Sequence, residues 1–301
     1  MRGGIRHPAF NIQSTGNIAE SQTPKAESIP TDSGKNRSTE NFPVGSFLIR
    51  RDLRAHVHAF YNFARAADDI SDHPLLGADV KVAKLDRFAE VLLDPALNDV
   101  PSAAGMRASL KETGVTPQHC LDLLTAFKRD ATQLRYRDWA DLIDYCNYSA
   151  APVGRHVLAL HGIGTEAWPS NDALCNALQI INHIQDCADD YRELDRVYVP
   201  QDMLAANNAS TADLACEKST PGLRATLTAM LDCMQPMMAE ARKLPRHVPD
   251  WRLKCETSVI NVLAARLVAL LYNHDPLCED VKLNKISVLG ATLQGIGQAW
   301  F

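Results

Sequence analysis

Residues 61–72 read Tyr61-Asn62-Phe63-Ala64-Arg65-Ala66-Ala67-Asp68-Asp69-Ile70-Ser71-Asp72, with apolar positions at helical spacing. On a helix of 3.6 residues per turn, one face collects Tyr61, Arg65, Asp68 and Asp72. Two carboxylates one turn apart repel each other and destabilise an isolated helix by about a few tenths of a kcal/mol. A bound divalent cation would turn this repulsion into a binding site.

A second stretch of the same kind reads Gln179-Ile180-Ile181-Asn182-His183-Ile184-Gln185-Asp186-Cys187-Ala188-Asp189-Asp190-Tyr191-Arg192. Its polar face collects Gln179, Asn182, Asp186 and Asp190, and its other faces are mostly apolar. The pattern therefore predicts a buried helix. Carboxylates on a buried helix are costly unless partners or a metal neutralise them.

A solvated acidic face is the alternative interpretation, and for a single run of this spacing it is the more common one. Two runs with polar neighbours at matching offsets favour a metal site instead. Carboxylate oxygens suit Mg²⁺, which keeps its waters and prefers sites that substrate phosphates complete. The sequence therefore predicts a Mg²⁺ cofactor and a phosphorylated substrate.

Composition excludes some classes of function. The formal net charge of −5 provides no basic excess for a nucleic-acid partner. Eight cysteines without a CxxC pair are typical of free thiols in a reducing cytoplasm. The start of the chain has no apolar segment of a secretory signal, and the longest apolar stretch, 259–272, contains Arg266. We expect a cytoplasmic protein with at most peripheral contact at the inner membrane surface.

Residues 14–40 are rich in Ser, Thr, Pro, Asn and Lys with few apolar residues, which predicts that residues 1–39 form a disordered N-terminal segment. From residue 40 to residue 301 the pattern predicts one all-α domain. The predicted helices span 52–72, 79–94, 117–132, 138–162, 170–193, 220–242, 250–274 and 279–299.

The chain resembles the squalene/phytoene synthase family from about residue 40 to its end. Residues 61–72 match the first aspartate motif of the family. Residues 182–190, followed by Arg196-Val197-Tyr198-Val199-Pro200, match the second. Between them, Asp144-Tyr145-Cys146-Asn147-Tyr148-Ser149-Ala150-Ala151-Pro152-Val153-Gly154 resembles the helix that carries the family's catalytic tyrosine. The resemblance implies a class I isoprenoid (terpenoid) synthase fold, a helical bundle around a central cavity.

Three departures from the usual family pattern indicate a branch within it. The chain has Glu40-Asn41-Phe42-Pro43-Val44 in place of Ser-x-Ser-Phe, and Ser149-Ala150-Ala151-Pro152-Val153-Gly154 in place of Val-Ala-Gly-x-Val-Gly. It has Gln185 where many members have Arg. These features resemble the bacterial hopanoid-pathway branch, which implies a Mg-dependent carbon–oxygen lyase that converts presqualene diphosphate and water to hydroxysqualene and diphosphate. Pathway enzymes before and after it would be its partners.

The resemblance also implies roles for single residues. The implied metal ligands are Asp68, Asp72, Asn182, Asp186 and Asp190, and the four aspartates are also implied to be catalytic together with Tyr145. The implied substrate-binding residues are Arg54, Tyr61, Arg65, Gln179, Asn182, Arg196 and Tyr198. Direct ligation by Asp69 or Asp189 stays open, as does a packing role for each tyrosine.

Two other functions remain open from the sequence. One is a prenyltransferase that joins two farnesyl diphosphates into presqualene diphosphate or squalene. The other is a non-catalytic assembly factor of the same fold, which the two intact aspartate runs disfavour.

Overall fold

The computed structural model describes residues 49–300, and the regular structure in this range is helical. The thirteen α-helices of these residues are α1 Arg54–Ser71, α2 Ala78–Leu93, α3 Pro101–Thr113, α4 Gln118–Thr132, α5 Trp139–Ser149, α6 Ala151–Leu160, α7 Trp168–Gln185, α8 Cys187–Leu194, α9 Gln201–Ala206, α10 Pro221–Cys233, α11 Gln235–Ala241, α12 Trp251–Asn273 and α13 Lys285–Trp300. The predicted disorder of residues 1–39 lies outside the described range, and the boundary at residue 40 stays a prediction.

The predicted all-α class is confirmed, since the helices pack into a bundle and no strand forms between residues 49 and 300. In the first part of the bundle, α1 packs against α2, α3 and α4. In the second part, α7 packs against α6, α11 and α12, and α12 also packs against α13. The eight cysteines are free thiols, as predicted.

Helix α3 is missing from the sequence-based prediction. Its segment, Pro-Ser-Ala-Ala-Gly-Met-Arg-Ala-Ser-Leu-Lys-Glu-Thr, has few large apolar residues, so its periodicity is weak. The residues at its two ends indicate a helix more clearly than its periodicity does. Pro101 is the first helical residue, and Gly114 ends the helix in the left-handed region with φ 71°. Ala103 and Met106 bury the inner face.

The predicted helices 138–162 and 220–242 are each two helices in the structure, because Pro152 and Pro236 interrupt them. Each break comes two residues before the proline. A proline inside a helix lacks the N–H for the i−4 hydrogen bond, and its ring clashes with the i−4 carbonyl. As a result, α5 ends and α6 begins four to six residues after Tyr145.

The predicted helix 170–193 is also divided, into α7 and α8, and the break lies at Asp186 itself. No proline or glycine explains this break. The backbone hydrogen bonds Asp186 N–Asn182 O (2.9 Å) and Asp190 N–Asp186 O (2.8 Å) continue across it. Asn182, Asp186 and Asp190 therefore remain one turn apart, as the helical spacing predicted.

Helix α12 is longer than the apolar stretch 259–272 that the sequence analysis considered. With 23 residues and a mean hydropathy of 1.4, it is long and apolar enough to cross a membrane by length and composition. In the structure it packs against α7, α10, α11 and α13, and 61% of its most apolar window is buried. Its apolar surface is thus covered as in a core helix of the bundle.

His156, on α6, is an unusual member of the core between α1 and α4. It is fully buried and its ring stacks on Phe60 with the centroids 4.1 Å apart. Neither ring nitrogen has a hydrogen-bond partner among the described residues. Burial lowers the pKa of His156 to about 3, so the folded protein holds it neutral.

We expect His156→Phe to stabilise the protein, and more so in acid. An unfolded histidine binds a proton below about pH 6.5, whereas the folded His156 stays neutral down to about 3, so stability is lost as the pH falls through this window. Phe keeps the stacking and removes this loss, which reaches about 1.4 kcal/mol per pH unit. Urea unfolding across this range measures it. His247→Phe, at an exposed position, is the control, and parallel pH profiles for wild type and His156→Phe would contradict the prediction.

Candidate active site

The first aspartate motif is held in place by Arg65. Its guanidinium pairs with Asp68 at 3.0 Å and with Asp69 at 2.5 Å, one turn further along α1. The Asp69 side chain is nearly buried, whereas Asp68 keeps 31% of its side chain exposed. Arg65 and Asp68 of the predicted face are therefore in contact, and the repulsion between the carboxylates of the motif is offset by an arginine of the same motif.

Arg196 connects the two motifs from a buried position. Its guanidinium donates to the Asp72 carboxylate (2.6 Å), the Ser71 carbonyl (2.9 Å) and the Asp130 carbonyl (3.0 Å). Its backbone N–H donates to the carbonyl of Asp190 (3.0 Å). The end of α1 and the end of α8 therefore meet at this one side chain. Direct contact of Arg196 with substrate stays a prediction.

Asp130, near the end of α4, lies next to the Arg196 side chain and is only 5% exposed. Its two carboxylate oxygens accept hydrogen bonds from the hydroxyls of Tyr145 (3.0 Å) and Tyr198 (2.8 Å). Burial raises the pKa of Asp130, while Arg196 and the two tyrosines act in the opposite direction. Burial and Asp130 raise the pKa of both tyrosines well above the usual value, so both hydroxyls are protonated donors.

The tyrosines belong to a stack of aromatic rings. His183 stacks on Tyr198 with the centroids 3.6 Å apart, and Tyr136 lies 5.5 Å from Tyr198 and 5.2 Å from Tyr145. Burial and Arg196 lower the pKa of His183 to about 3, so its ring is neutral. Its Nε2 lies 3.2 Å from the amide nitrogen of Gln179. The stack is therefore a buried cluster of neutral rings. Ring faces attract cations electrostatically, and the guanidinium of Arg129 lies over the Tyr145 ring, 5.6 Å from its centroid.

Oxygen donors of the second motif reach the surface. Asp186 is exposed, and Asn182 and Asp190 are half-buried. Asp186 and Asp189 line a pocket closed by residues 276–282, to which Gln185 is tied through the carbonyl of Val281 (2.5 Å). The remaining predicted site residues, Arg54 and Tyr61, are half-buried on α1.

Within residues 49–300, no group of three or more His, Cys, Asp or Glu side chains forms a ready metal cage. The donor chemistry nevertheless fits Mg²⁺, because Asp68, Asp186, Asp190 and Asn182 present hard oxygens that solvent reaches. Mg²⁺ characteristically takes few protein ligands and completes its shell with water and phosphate. The Asp72 side chain is less exposed than that of Asp68, 17% against 31%, and it pairs with the buried Arg196.

Sequence reasoning missed Asp130 and Tyr136. Asp130 carried a recognisable signal: it falls on the same face of α4 as Cys120, Leu123 and Leu124, all of which are buried. A carboxylate at a core position of an amphipathic helix needs a buried partner. Tyr136 lies in the segment after α4 and offered no comparable pattern.

This all-helical bundle, in which two aspartate motifs are joined by one arginine, has the helical fold of the isoprenoid synthases. The chain belongs to the squalene/phytoene synthase family, whose model matches residues 35–287.

Within this family the chain is similar to two proteins named hydroxysqualene synthase. The protein of Rhodopseudomonas palustris is 46% identical over 260 residues, which cover 86% of this chain and 89% of that protein. The protein of Sinorhizobium fredii is 42% identical over 265 residues, which cover 86% and 87%. The crystal structure of squalene synthase HpnC from Alicyclobacillus acidocaldarius superimposes with a TM-score of 0.68 at 32% identity, covering 77% of this chain and 88% of that one.

The Asp130 network should be strongly coupled in stability. Asp130→Ala leaves two buried hydroxyls without an acceptor and should cost roughly 2–4 kcal/mol of unfolding free energy. Tyr145→Phe, which removes one hydrogen bond and leaves the other, should cost about 1 kcal/mol. Urea unfolding at neutral pH measures both.

The matched control is Asp130→Ala in a background that carries Tyr145→Phe and Tyr198→Phe. Without the two hydroxyls to leave unpaired, the same change should cost clearly less. Equal losses of unfolding free energy in the two backgrounds would show that Asp130 and the two tyrosines are not coupled.

Proposed function

We propose that this chain is a hydroxysqualene synthase, a carbon–oxygen lyase that converts presqualene diphosphate and water to hydroxysqualene and diphosphate. The similarity to two relatives of that name, over 86% of the chain, carries the proposal. The site supports it: accessible carboxylates suit a metal-bound diphosphate, and a neutral aromatic surface suits a carbocation. The protein would act in the cytoplasm, between the enzymes that supply presqualene diphosphate and those that use hydroxysqualene.

We further propose that Asp68, Asp186, Asp190 and Asn182 hold Mg²⁺ together with the diphosphate. The metal, when bound, neutralises the charge of the departing diphosphate. Arg65 fixes the carboxylates of Asp68 and Asp69, so that the first motif does not rearrange when substrate arrives. A site whose groups are already oriented contributes more to catalysis than one that must reorganise.

The reaction begins as the carbon–oxygen bond to diphosphate breaks and diphosphate keeps the electron pair. The cyclopropylcarbinyl cation that remains would rearrange beside the rings of Tyr145 and Tyr198, which are neutral at physiological pH. Water then forms the new carbon–oxygen bond, and its proton passes to the departed diphosphate, which is the base that the reaction itself supplies. Because the Tyr145 hydroxyl donates to Asp130, its lone pairs are oriented to accept a hydrogen bond from that water.

The second candidate is the prenyltransferase that joins two farnesyl diphosphates. The fold similarity to squalene synthase HpnC is the observation that keeps it in view. Both reactions require departure of diphosphate, so the two aspartate motifs serve either one. The identity of the accepted substrate separates them.

Purified protein with Mg²⁺ should convert presqualene diphosphate to hydroxysqualene without NADPH. In ¹⁸O-water the hydroxyl of the product should carry the label, because water supplies that oxygen. Mass spectrometry of the extracted product measures both. Accumulation of presqualene diphosphate from farnesyl diphosphate, or squalene formed only with NADPH, would support the prenyltransferase instead.

Asp186→Asn should weaken Mg²⁺ binding in the presence of inorganic diphosphate by about tenfold or more, because it replaces an anionic ligand by a neutral one. Calorimetric titration measures this without turnover. Asp202→Asn is the matched control, because this exposed carboxylate in the first turn of α9 lies outside both aspartate motifs. We expect thermal stability without metal to be unchanged in both variants, and equal losses of affinity would refute the assignment of Asp186.

A further inference from the structure

Helix α13 packs on the bundle with its small residues and exposes its large ones. Its buried positions are Ala291, Gly295 and Ala299, spaced one turn apart. A Cβ on Gly295 would lie 2.5 Å from the Cα of Val259, so the backbones of α12 and α13 are in close contact there. An amphipathic helix of a globular protein ordinarily does the reverse and buries its large apolar side chains.

The outer face of α13 carries an apolar stripe of Ile286, Leu289 and Leu293, and Trp300 lies two turns further along the same face. These residues follow one another at offsets 0, 3, 7 and 14, which lie on one face of a helix. Leu289 is 61% exposed, Leu293 66% and Trp300 78%. Contiguous exposed apolar surface of this kind marks an interaction site more often than scattered single residues do.

A second exposed tryptophan extends this surface. Trp251, the first residue of α12, is 60% exposed and lines the same pocket as Trp300. Tryptophan is enriched where a protein meets the boundary between lipid and water, because its ring is apolar while its N–H can remain hydrated. The stripe and Trp251 together are called the α13 face below.

Positive charge borders the α13 face. Arg246 and Lys254 line the pocket that contains both tryptophans, and with Arg242 they line the adjoining one. Neither pocket includes an acidic residue, and none of the three cations has an ion-pair partner among residues 49–300. Helix α13 itself contains no Asp or Glu. This local surplus of positive charge stands against a net charge of −5 for the chain.

We propose that the α13 face docks on an anionic phospholipid bilayer, with the helix lying in the plane of the membrane interface. Apolar residues on one face and cations beside them are the two contributions that hold such helices at a membrane surface. The net charge of −5 favours this orientation, because an anionic surface repels the chain as a whole and attracts the cations beside the α13 face.

A second copy of the chain fits the same surface less well. A twofold interface brings each patch against its own copy, so the cations around one α13 face would meet those around the other. An anionic bilayer complements both the apolar stripe and the charge. The inference rests on this surface alone and is independent of the reaction that the site performs.

The test is flotation of the full chain with phosphatidylcholine vesicles, with and without phosphatidylglycerol. We expect binding that requires phosphatidylglycerol and weakens with salt. Leu289→Gln with Leu293→Gln should reduce it by about tenfold or more, because two exposed leucines no longer enter the lipid. Gln is close to Leu in helix propensity, so α13 should remain folded, and melting temperatures check this.

Matched controls distinguish an effect of the α13 face from a general effect of replacing exposed leucines or cations. Leu75→Gln with Leu93→Gln makes the same change at two exposed leucines elsewhere and should leave binding unaltered. Arg246→Gln with Lys254→Gln should weaken binding, whereas Lys84→Gln with Lys111→Gln, at exposed lysines on other helices, should not.

Absence of binding by the unmodified chain would overturn the proposal, as would equal losses in the test and control variants. Light scattering tests the alternative partner of this surface, which is a second copy of the chain. A dimer that dissociates in the Leu289→Gln, Leu293→Gln variant and not in the Leu75→Gln, Leu93→Gln variant would show that the α13 face is a contact between copies.

Discussion

The buried guanidinium of Arg196 is the constraint on which the site depends. A cation that loses its hydration must find acceptors in fixed positions, and an arginine offers its donors in a rigid planar fork. Here the acceptors come from the end of α1 and the end of α4, while the arginine follows α8. Helices distant in sequence are thereby held in one relative position, and the two aspartate motifs are joined through Asp72 and Asp190.

The carboxylates of the site are of two kinds, which differ in their contact with solvent. Asp72 and Asp130 are enclosed, and protein donors satisfy them. Asp68 and Asp186 keep contact with solvent. Water at this second kind can be exchanged for a metal and a phosphate, because solvent reaches these side chains. The enclosed kind instead orients two tyrosines and keeps them protonated, which leaves a neutral aromatic surface beside a strongly charged one.

Helix α12 relates this site to the proposed membrane face. One side of it packs against α7, which carries the second motif, and another side packs against α13. Arg266 of α12 also donates to Gln294 of α13 at 3.0 Å, so α13 is fixed to the core of the bundle. A chain acting on long apolar substrates would thus contact the lipid that contains them through an element joined directly to the active-site helices.

The helical class, the two aspartate motifs and the family could be predicted from the sequence alone, because helical periodicity and motif spacing are local properties of the chain. The same reasoning failed at Pro152 and Pro236, where the helices divide, and at α3, whose short side chains leave little periodicity. The ion pair between Asp72 and Arg196 became visible in the tertiary structure, as did the two hydrogen bonds that Asp130 accepts from tyrosine hydroxyls. The tertiary structure also decided which side of α13 faces outward. Each of these depends on contacts between residues far apart in the chain, where burial and charge compensation act and local spacing carries no information.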